Sequence, residues 1–385
     1  MDLRAITRPR CFWARRLLGA LLGVMAGCSG GGASTAPAPV PPPVVVEPIA
    51  MEIIVRTPAT LHNAADVQAL TAAAARQGVK VINLLVKQDE DGGAPNGLQS
   101  GQVFYASRLA PRAPGYENFD VLRTLLEAAR PVGLRVRAWV PQFHDQVAVR
   151  REPAWAMQYL KDGLVQPYQG VRNPEYFVNP LHPEVQAYQL AILREITDGY
   201  AVEGVMLDWI RFDNYPMDLS AWTRAQYQAR FGADPLQIDF SRDSAARRQW
   251  NDYRSDGIAR YVQTVRQALP AALELGVYIL PPEFVEVGQD AGRFNTYVGL
   301  LAPMCYYADW GFAIDWLWSS CMPSTVAKSG AAAVVPTLDA KLGDSEVRRI
   351  LARLRSDFPA VRTVAWFQHE AWTEAMMARL AALSR

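Results

Sequence analysis

Between residues 50 and 385 the apolar positions gather into eight short runs, at 51–56, 79–86, 134–140, 204–210, 275–280, 300–306, 332–337 and 363–367. Each run is nearly continuous in hydrophobicity rather than alternating. That is the pattern of a parallel strand buried on both faces. Helical spacing fills the intervals. Residues 66–77 place Val67, Leu70 and Ala74 on one face, with Gly78 as a stop. Residues 119–130 carry Leu122, Leu125, Leu126 and Ala129, and residues 182–200 carry Val185, Tyr188, Ile192 and Ile196. Residues 258–269, 345–358 and 371–383 complete the series. Strand and helix alternating in this way predict a single (β/α)8 TIM barrel over residues 50–385. A doubly wound open sheet is the competing fold, but no G-x-G-x-x-G follows the first strand. Two connections exceed simple turns. Residues 87–117 are expected to form a small hairpin around Val103-Phe104-Tyr105, and residues 213–248 read as partly helical.

The first 49 residues follow another pattern. Arg4, Arg8, Arg10, Arg15 and Arg16 precede an apolar run, residues 17–26, that ends at Gly27-Cys28. The run is too short to span a bilayer, which takes ~20 apolar residues. It fits a lipoprotein signal peptide, residues 1–27, cleaved before a lipidated Cys28. Residues 28–49 are rich in Gly, Ser, Ala and Pro and are expected to be an extended tether. Ser29 after the cysteine fits sorting to the outer membrane, facing the periplasm.

A formal net charge of +1 gives no electrostatic case for nucleic acid. Eleven Trp and 15 Tyr supply flat faces that stack on sugar rings and equally fill cores. Of four Cys, Cys305 and Cys321 remain once Cys11 leaves with the signal and Cys28 takes lipid. An exported protein allows them to pair, and the sequence leaves that open.

Barrel chemistry sits at the carboxyl ends of the strands. Strand three ends in Trp139-Val140-Pro141-Gln142-Phe143-His144, strand four in Asp208-Trp209-Ile210-Arg211, and strand five in Pro281-Pro282-Glu283. Strand six ends in Tyr306-Tyr307-Ala308-Asp309-Trp310, strand seven in Asp339, and strand eight in Gln368-His369-Glu370. Carboxylates and aromatics dominate this rim. Cleaving a glycosidic bond takes two carboxyl groups across it, one to protonate the leaving oxygen and one to attack or to activate water. Asp208, in the otherwise apolar GVMLDWI, is the leading catalytic candidate, or else it is tied to Arg211 or Arg254. Glu283, stiffened by two prolines, and Asp339 are candidates for the second carboxylate. Trp139, Gln142, His144, Asn179, Trp209, Arg211, Tyr306, Trp310 and Glu370 are the expected substrate contacts. No G-x-S-x-G is present in residues 50–385, and the four His are scattered, so no metal or cofactor is expected, although His144 with Asp145 leaves a mononuclear site as an alternative. Metal-dependent polysaccharide deacetylation and non-catalytic glycan binding on a barrel scaffold are the competing functions.

Several segments resemble the glycosyl-hydrolase-like family ten of bacterial lipoproteins and secreted proteins. They are LRVRAWVP (134–141), VNPLHPEV (178–185), EITDGYAVEGVMLDWIRF (195–212), Gly288-Gln289-Asp290 and APMCY (302–306). The resemblance implies a (β/α)8 barrel acting on a polysaccharide. It is similar to the branch of outer-membrane lipoproteins that cut peptide-free peptidoglycan strands. The carry-over points to Asp208 and Arg211 in the fourth strand motif, Asn179 and His182 at the helix start, and Tyr306 after the sixth strand. The chain departs from the family pattern in Glu203-Gly204, where Asp-Gly is usual, and in Phe212-Asp213, where Tyr-Pro is usual.

Overall fold

The computed structural model describes residues 48–91, 97–170, 175–213 and 216–385, apart from the side chain of Val285. The expected signal and most of the tether, with Cys28, lie outside the described residues. Elements follow in chain order as β1 (Ala50–Val55), α1 (Thr57–Thr60), α2 (Ala64–Arg76), β2 (Val81–Leu85), α3 (Val121–Ala129) and β3 (Arg135–Pro141). Next come α4 (Gln146–Arg151), β4 (Gln158–Lys161), β5 (Leu164–Pro167), α5 (Pro183–Gly199), β6 (Gly204–Asp208), α6 (Ala221–Phe231) and α7 (Ala245–Ala268). The last part holds β7 (Glu274–Ile279), β8 (Leu300–Pro303), α8 (Met322–Ser329), β9 (Ala333–Val334), β10 (Thr337–Asp339), α9 (Asp344–Asp357), β11 (Thr363–Phe367) and α10 (Glu374–Ser384).

The main sheet runs β10-β11-β1-β2-β3-β6-β7-β8-β9. Its pairings are parallel, from β1 on β11 to β8 on β9. Its two outer members are pieces of one strand. Ala333-Val334 pairs with β8, and Thr337–Asp339, just past Pro336, pairs with β11. The proline removes a ladder donor and splits the seventh strand, and a parallel bridge from Met304 to Thr337 carries the pairing across the break. The sheet therefore closes on itself as a (β/α)8 barrel.

Helix starts follow local chemistry. Asn63 caps α2 by accepting from the backbone N–H groups of Ala65 and Asp66, Asp120 caps α3 through Arg123 N–H, and Ser244 caps α7 through Arg247 N–H. The apolar stripes are buried as their spacing predicts, with Val67, Leu70 and Ala74 on α2 and Val185, Tyr188, Ile192 and Ile196 on α5. Helix α7 begins 13 residues before the expected 258, at Ala245, because its polar first half still buries Trp250, Tyr253 and Arg254.

Residues 97–117 make only isolated bridges, Lys87 with Val103 and Val103 with Arg112, in place of the expected hairpin. The hairpin is instead β4–β5, antiparallel, after β3. Its two-residue turn, Asp162-Gly163, has φ of 52° and 77°, the left-handed pair that such turns require. Inside the barrel, Arg137 donates to Glu52 at 2.6 Å and to Glu274 at 2.6 Å, and Asn83 donates to Glu52 at 3.1 Å. These charges are buried but paired.

Candidate active site

The strand register brings the acidic residues together. Pro141 of β3 aligns with Asp208 at the end of β6, so Trp139, two residues back on the same face, can reach forward. Its indole Nε1 donates to Asp208 Oδ2 at 2.8 Å, and the backbone N–H of Trp209 donates to Oδ1 at 2.7 Å. Neither Arg211 nor Arg254 binds Asp208 directly. Arg254 is buried elsewhere, donating to Met217 O at 2.8 Å. Trp209 holds φ at +51°, an uncommon conformation for a bulky residue that marks the strand end as a constrained corner.

Four residues past β2 a second acid, Asp89, meets Arg56, the residue that follows β1. Arg56 lays both guanidinium nitrogens on Asp89, Nη1 to Oδ2 at 3.0 Å and Nη2 to Oδ1 at 2.7 Å, and also lies 2.9 Å from Glu90. The same guanidinium sits 5.8 Å from the Trp139 ring centroid. Burial, and then the negative charge of Asp89, lift the Asp208 carboxyl from 3.8 to about 6, while the Trp139 and Trp209 N–H groups and Arg211 oppose the lift. A carboxyl in this range gives and takes protons near neutrality.

Tyr306 stands half-buried at the mouth, its ring 5.5 Å from Phe367, in the field of both Asp208 and Asp339. Burial raises the Tyr306 hydroxyl far above its ordinary value. Asp339 is half-buried at the end of β10, raised by burial first, with Asp309, Lys341 and His369 around it. Trp310 is half-buried, bonded through Nε1 to Met304 O at 3.0 Å and packed 5.2 Å from Phe284. Glu370 is exposed and ion-paired with Lys341 at 2.5 Å.

A second group of side chains adjoins Trp209. His144 stacks on Phe177 at 4.8 Å and meets Trp209 at 4.6 Å. Its Nε2 is 2.5 Å from Asp91 Oδ2. Burial disfavours the imidazolium, but Asp91 outweighs burial and raises the His144 pKa. Arg211 lies 4.1 Å above the Trp209 ring and 3.5 Å from Asp213. Tyr168 donates to Asp213, and burial together with Asp213 raises the nearby Glu175 carboxyl.

Several expected contacts are instead bound up within the protein. Gln142 donates to Val140 O at 2.9 Å and accepts from Tyr261 at 2.5 Å. Asn179 donates to Asp218 at 2.7 Å and to Thr223 at 2.9 Å, and accepts from Leu181 N–H, so this motif residue holds the start of α5. His182 packs its ring 5.1 Å from Trp222. Glu283 is exposed and accepts from Trp316 Nε1 at 2.8 Å and Ser320 Oγ at 2.5 Å. Asp145 is the fully buried partner of Lys87 at 2.7 Å, and no group of three or more His, Cys, Asp or Glu residues suited to a metal ion exists among the described residues.

Sequence reasoning named Asp208, Trp139, Trp209, Arg211, Tyr306 and Asp339 but missed Arg56, Asp89, Asp91 and Glu175. For Arg56 a signal was present: it ends an apolar run, just as Asp208 does, whereas Asp89 stands three residues past its run.

Fold and site together define a (β/α)8 barrel of the glycoside-hydrolase class. The glycosyl hydrolase-like 10 family model matches residues 64–316, and the chain belongs to that family. An S-layer-related protein of Niallia circulans is 26% identical over 194 residues, which is 44% of this chain and 12% of that relative's length. Among solved structures, the PgaB (BpsB) glycoside hydrolase domain of Bordetella bronchiseptica superposes with a TM-score of 0.67 at 17% identity, covering 88% of this chain and 98% of that one. The β-galactosidase of Rahnella sp. R3 gives 0.60 at 12% identity over 89% of this chain and 56% of that one. The α-L-fucosidase isoenzyme 2 of Paenibacillus thiaminolyticus gives 0.59 at 13% identity over 87% and 48%. At these identities the likeness is one of fold.

Proposed function

We propose that the chain is a glycosidase that cleaves a cell-envelope polysaccharide, peptidoglycan glycan strands or another amino-sugar polymer, with Asp208 as its proton-transfer group. The observation that carries this reading is the Asp208 carboxyl, buried at a strand end and lifted to about 6. Asp339 serves as the second carboxylate, because it is half-buried on the same rim and shares the field at Tyr306. Asp89 positions: both its oxygens are taken by Arg56, and its charge keeps Asp208 protonated at higher pH. On an N-acetylated sugar, Asp208 and Asp339 position and polarise the acetamido group, which then replaces the protein nucleophile. Trp209, Trp310 and Tyr306 supply stacking faces.

A localisation follows from the sequence: Cys28, preceded by the apolar run 17–26, anchors the protein by lipid to the outer membrane facing the periplasm. Among the described residues no helix is long and apolar enough to cross a membrane. In that compartment Cys305 and Cys321, both buried with sulfurs 3.2 Å apart, join as a disulfide.

The test is incubation of the purified protein with peptidoglycan sacculi and with peptide-free glycan strands, with mass spectrometry of released sugars and Asp208→Asn run in parallel. Release by the wild type that the variant loses supports the reading. A second reading, glycan binding without cleavage, is favoured by the full coverage of Asp89 by Arg56 and by the capture of Glu283 by Trp316 and Ser320. Strands retained but never cut would select it.

A further inference from the structure

We infer that a second saccharide-binding site lies on the flank of the barrel, in a cleft between α5, α6 and α7, and that it takes a carboxylate-bearing stretch of glycan. The cleft has a volume of about 590 Å³ and shares none of its lining with the Asp208 site. Its walls are Leu181 and Gln186 before and on α5, Trp222, Gln226 and Arg230 on α6, and Tyr253, Gly257 and Arg260 on α7. Gly257 lines its floor, where a Cβ would stand 2.0 Å from Leu181 Cδ2 and displace that methyl.

The lining has the chemistry of a sugar site. Trp222 is half-buried, held 5.1 Å from the His182 ring, and offers a pyranose a flat apolar face. Gln226 and Thr264 are exposed and offer amide and hydroxyl partners. The charge is one-sided. Arg260 is exposed, and the described residues offer it no carboxylate; its positive field, like that of Arg230, falls on the buried Tyr253. Arg230 makes only a long pair, 3.8 Å from Asp256 Oδ2, while Arg293 holds the other oxygen at 2.5 Å. Two guanidinium groups beside an aromatic face suit a sugar acid: a planar fork matches a carboxylate while the ring stacks. A peptide would look for a free strand edge or a deep apolar pocket, and this cleft presents helices and polar side chains. Peptide-free peptidoglycan strands carry the free lactyl carboxylates such a site would read, whereas peptide-substituted strands have those carboxylates in amide linkage.

The ligand class rests on the glycan reading of the barrel; the cleft does not. The experiment measures retention of peptide-free glycan strands on the full-length protein, against the same strands after carboxyl reduction and against poly-glutamate. Arg260→Glu, at an exposed position, is expected to weaken retention of the acidic strands about tenfold, the loss of one charge-assisted contact. Trp222→Ala is expected to weaken both saccharides, with its thermal melt checked for folding. Hydrolysis of short oligosaccharides should be unchanged in Arg260→Glu. Equal retention of reduced and unreduced strands, no change in Arg260→Glu, or stronger retention of poly-glutamate each overturns the proposal. Retention that depends on Arg260 in a protein that releases no sugar would leave the cleft standing and sink the glycosidase reading instead.

Discussion

Asp208 is held in the field of Asp89, a neighbour that Arg56 grips by both oxygens. The arrangement separates two tasks. Asp89 spends its hydrogen-bonding capacity on Arg56 and contributes only charge, whereas Asp208 keeps weaker N–H donors and a carboxyl lifted to about 6. Acid and base chemistry near neutral pH requires such a division between adjacent carboxyl groups.

Removing the Asp89 charge should therefore lower the Asp208 pKa. In an Asp89→Asn protein the limb of the pH–rate profile that reports Asp208 is expected to move toward acid, and activity at neutral pH should fall as less Asp208 is protonated. A profile measured from pH 4 to 9 checks this. An unmoved limb would mean that burial alone sets Asp208.

Asp208→Asn should cost activity and add stability. The group's pKa is higher folded than unfolded, so its contribution to stability is fully present below about 3.8 and is lost as pH rises through about 6. Above 6 the folded protein carries a buried carboxylate at a cost of at most about 3 kcal/mol, which asparagine removes. Thermal melts should show the variant ahead by several degrees at pH 8, with the gap closing below pH 6. Sugar release should fall by roughly 10²–10⁴.

Arg56→Ala leaves Asp89 buried without its counter-ion, and breaking such a pair costs about 3–5 kcal/mol. Arg56→Lys should recover part of the stability and little of the geometry, since an ammonium offers no fork for two oxygens. Urea unfolding of both variants measures the loss. If Arg56→Ala were as stable as the wild type, the pair would not be acting as a buried unit.

The barrel was legible because its strands are buried on both faces and its helices carry apolar stripes, such as Val185, Tyr188, Ile192 and Ile196, at helical spacing. Asp208 stood out as a lone charge in an apolar strand. Other features were hidden for physical reasons. The β4–β5 hairpin is half-exposed and lacks a strong apolar run, although Asp162-Gly163 is its turn signal. Glu283 looked suitable because Pro281-Pro282 stiffen it, yet stiffness does not set direction, and Trp316 and Ser320 take its carboxylate. Gln142 follows a strand end and Asn179 precedes α5, where substrate contacts could sit, but Tyr261 and Asp218, far away in sequence, bind them first. Glu175 follows no strand of the barrel, so the strand-end rule does not reach it.

The disulfide proposed for Cys305 and Cys321, free thiols with sulfurs 3.2 Å apart, carries a prediction about when it would form. Both thiols are buried, and burial holds Cys305 well above its ordinary pKa, so little thiolate exists in the folded protein. Exchange needs the thiolate. Oxidation by a disulfide-donating partner, which takes two electrons and two protons from the pair, must then occur during folding, before the thiols are buried. Protein recovered from an oxidising compartment should be two hydrogens lighter and should resist alkylation by iodoacetamide in urea. Protein folded under reductant should resist oxidised glutathione when native and should take up the bond once partly unfolded. The bond would close a loop of 16 residues and add up to about 3 kcal/mol, seen as a higher urea midpoint that Cys305→Ser lacks. Rapid oxidation of the native reduced protein would show that the pair opens to solvent and would overturn this order of events.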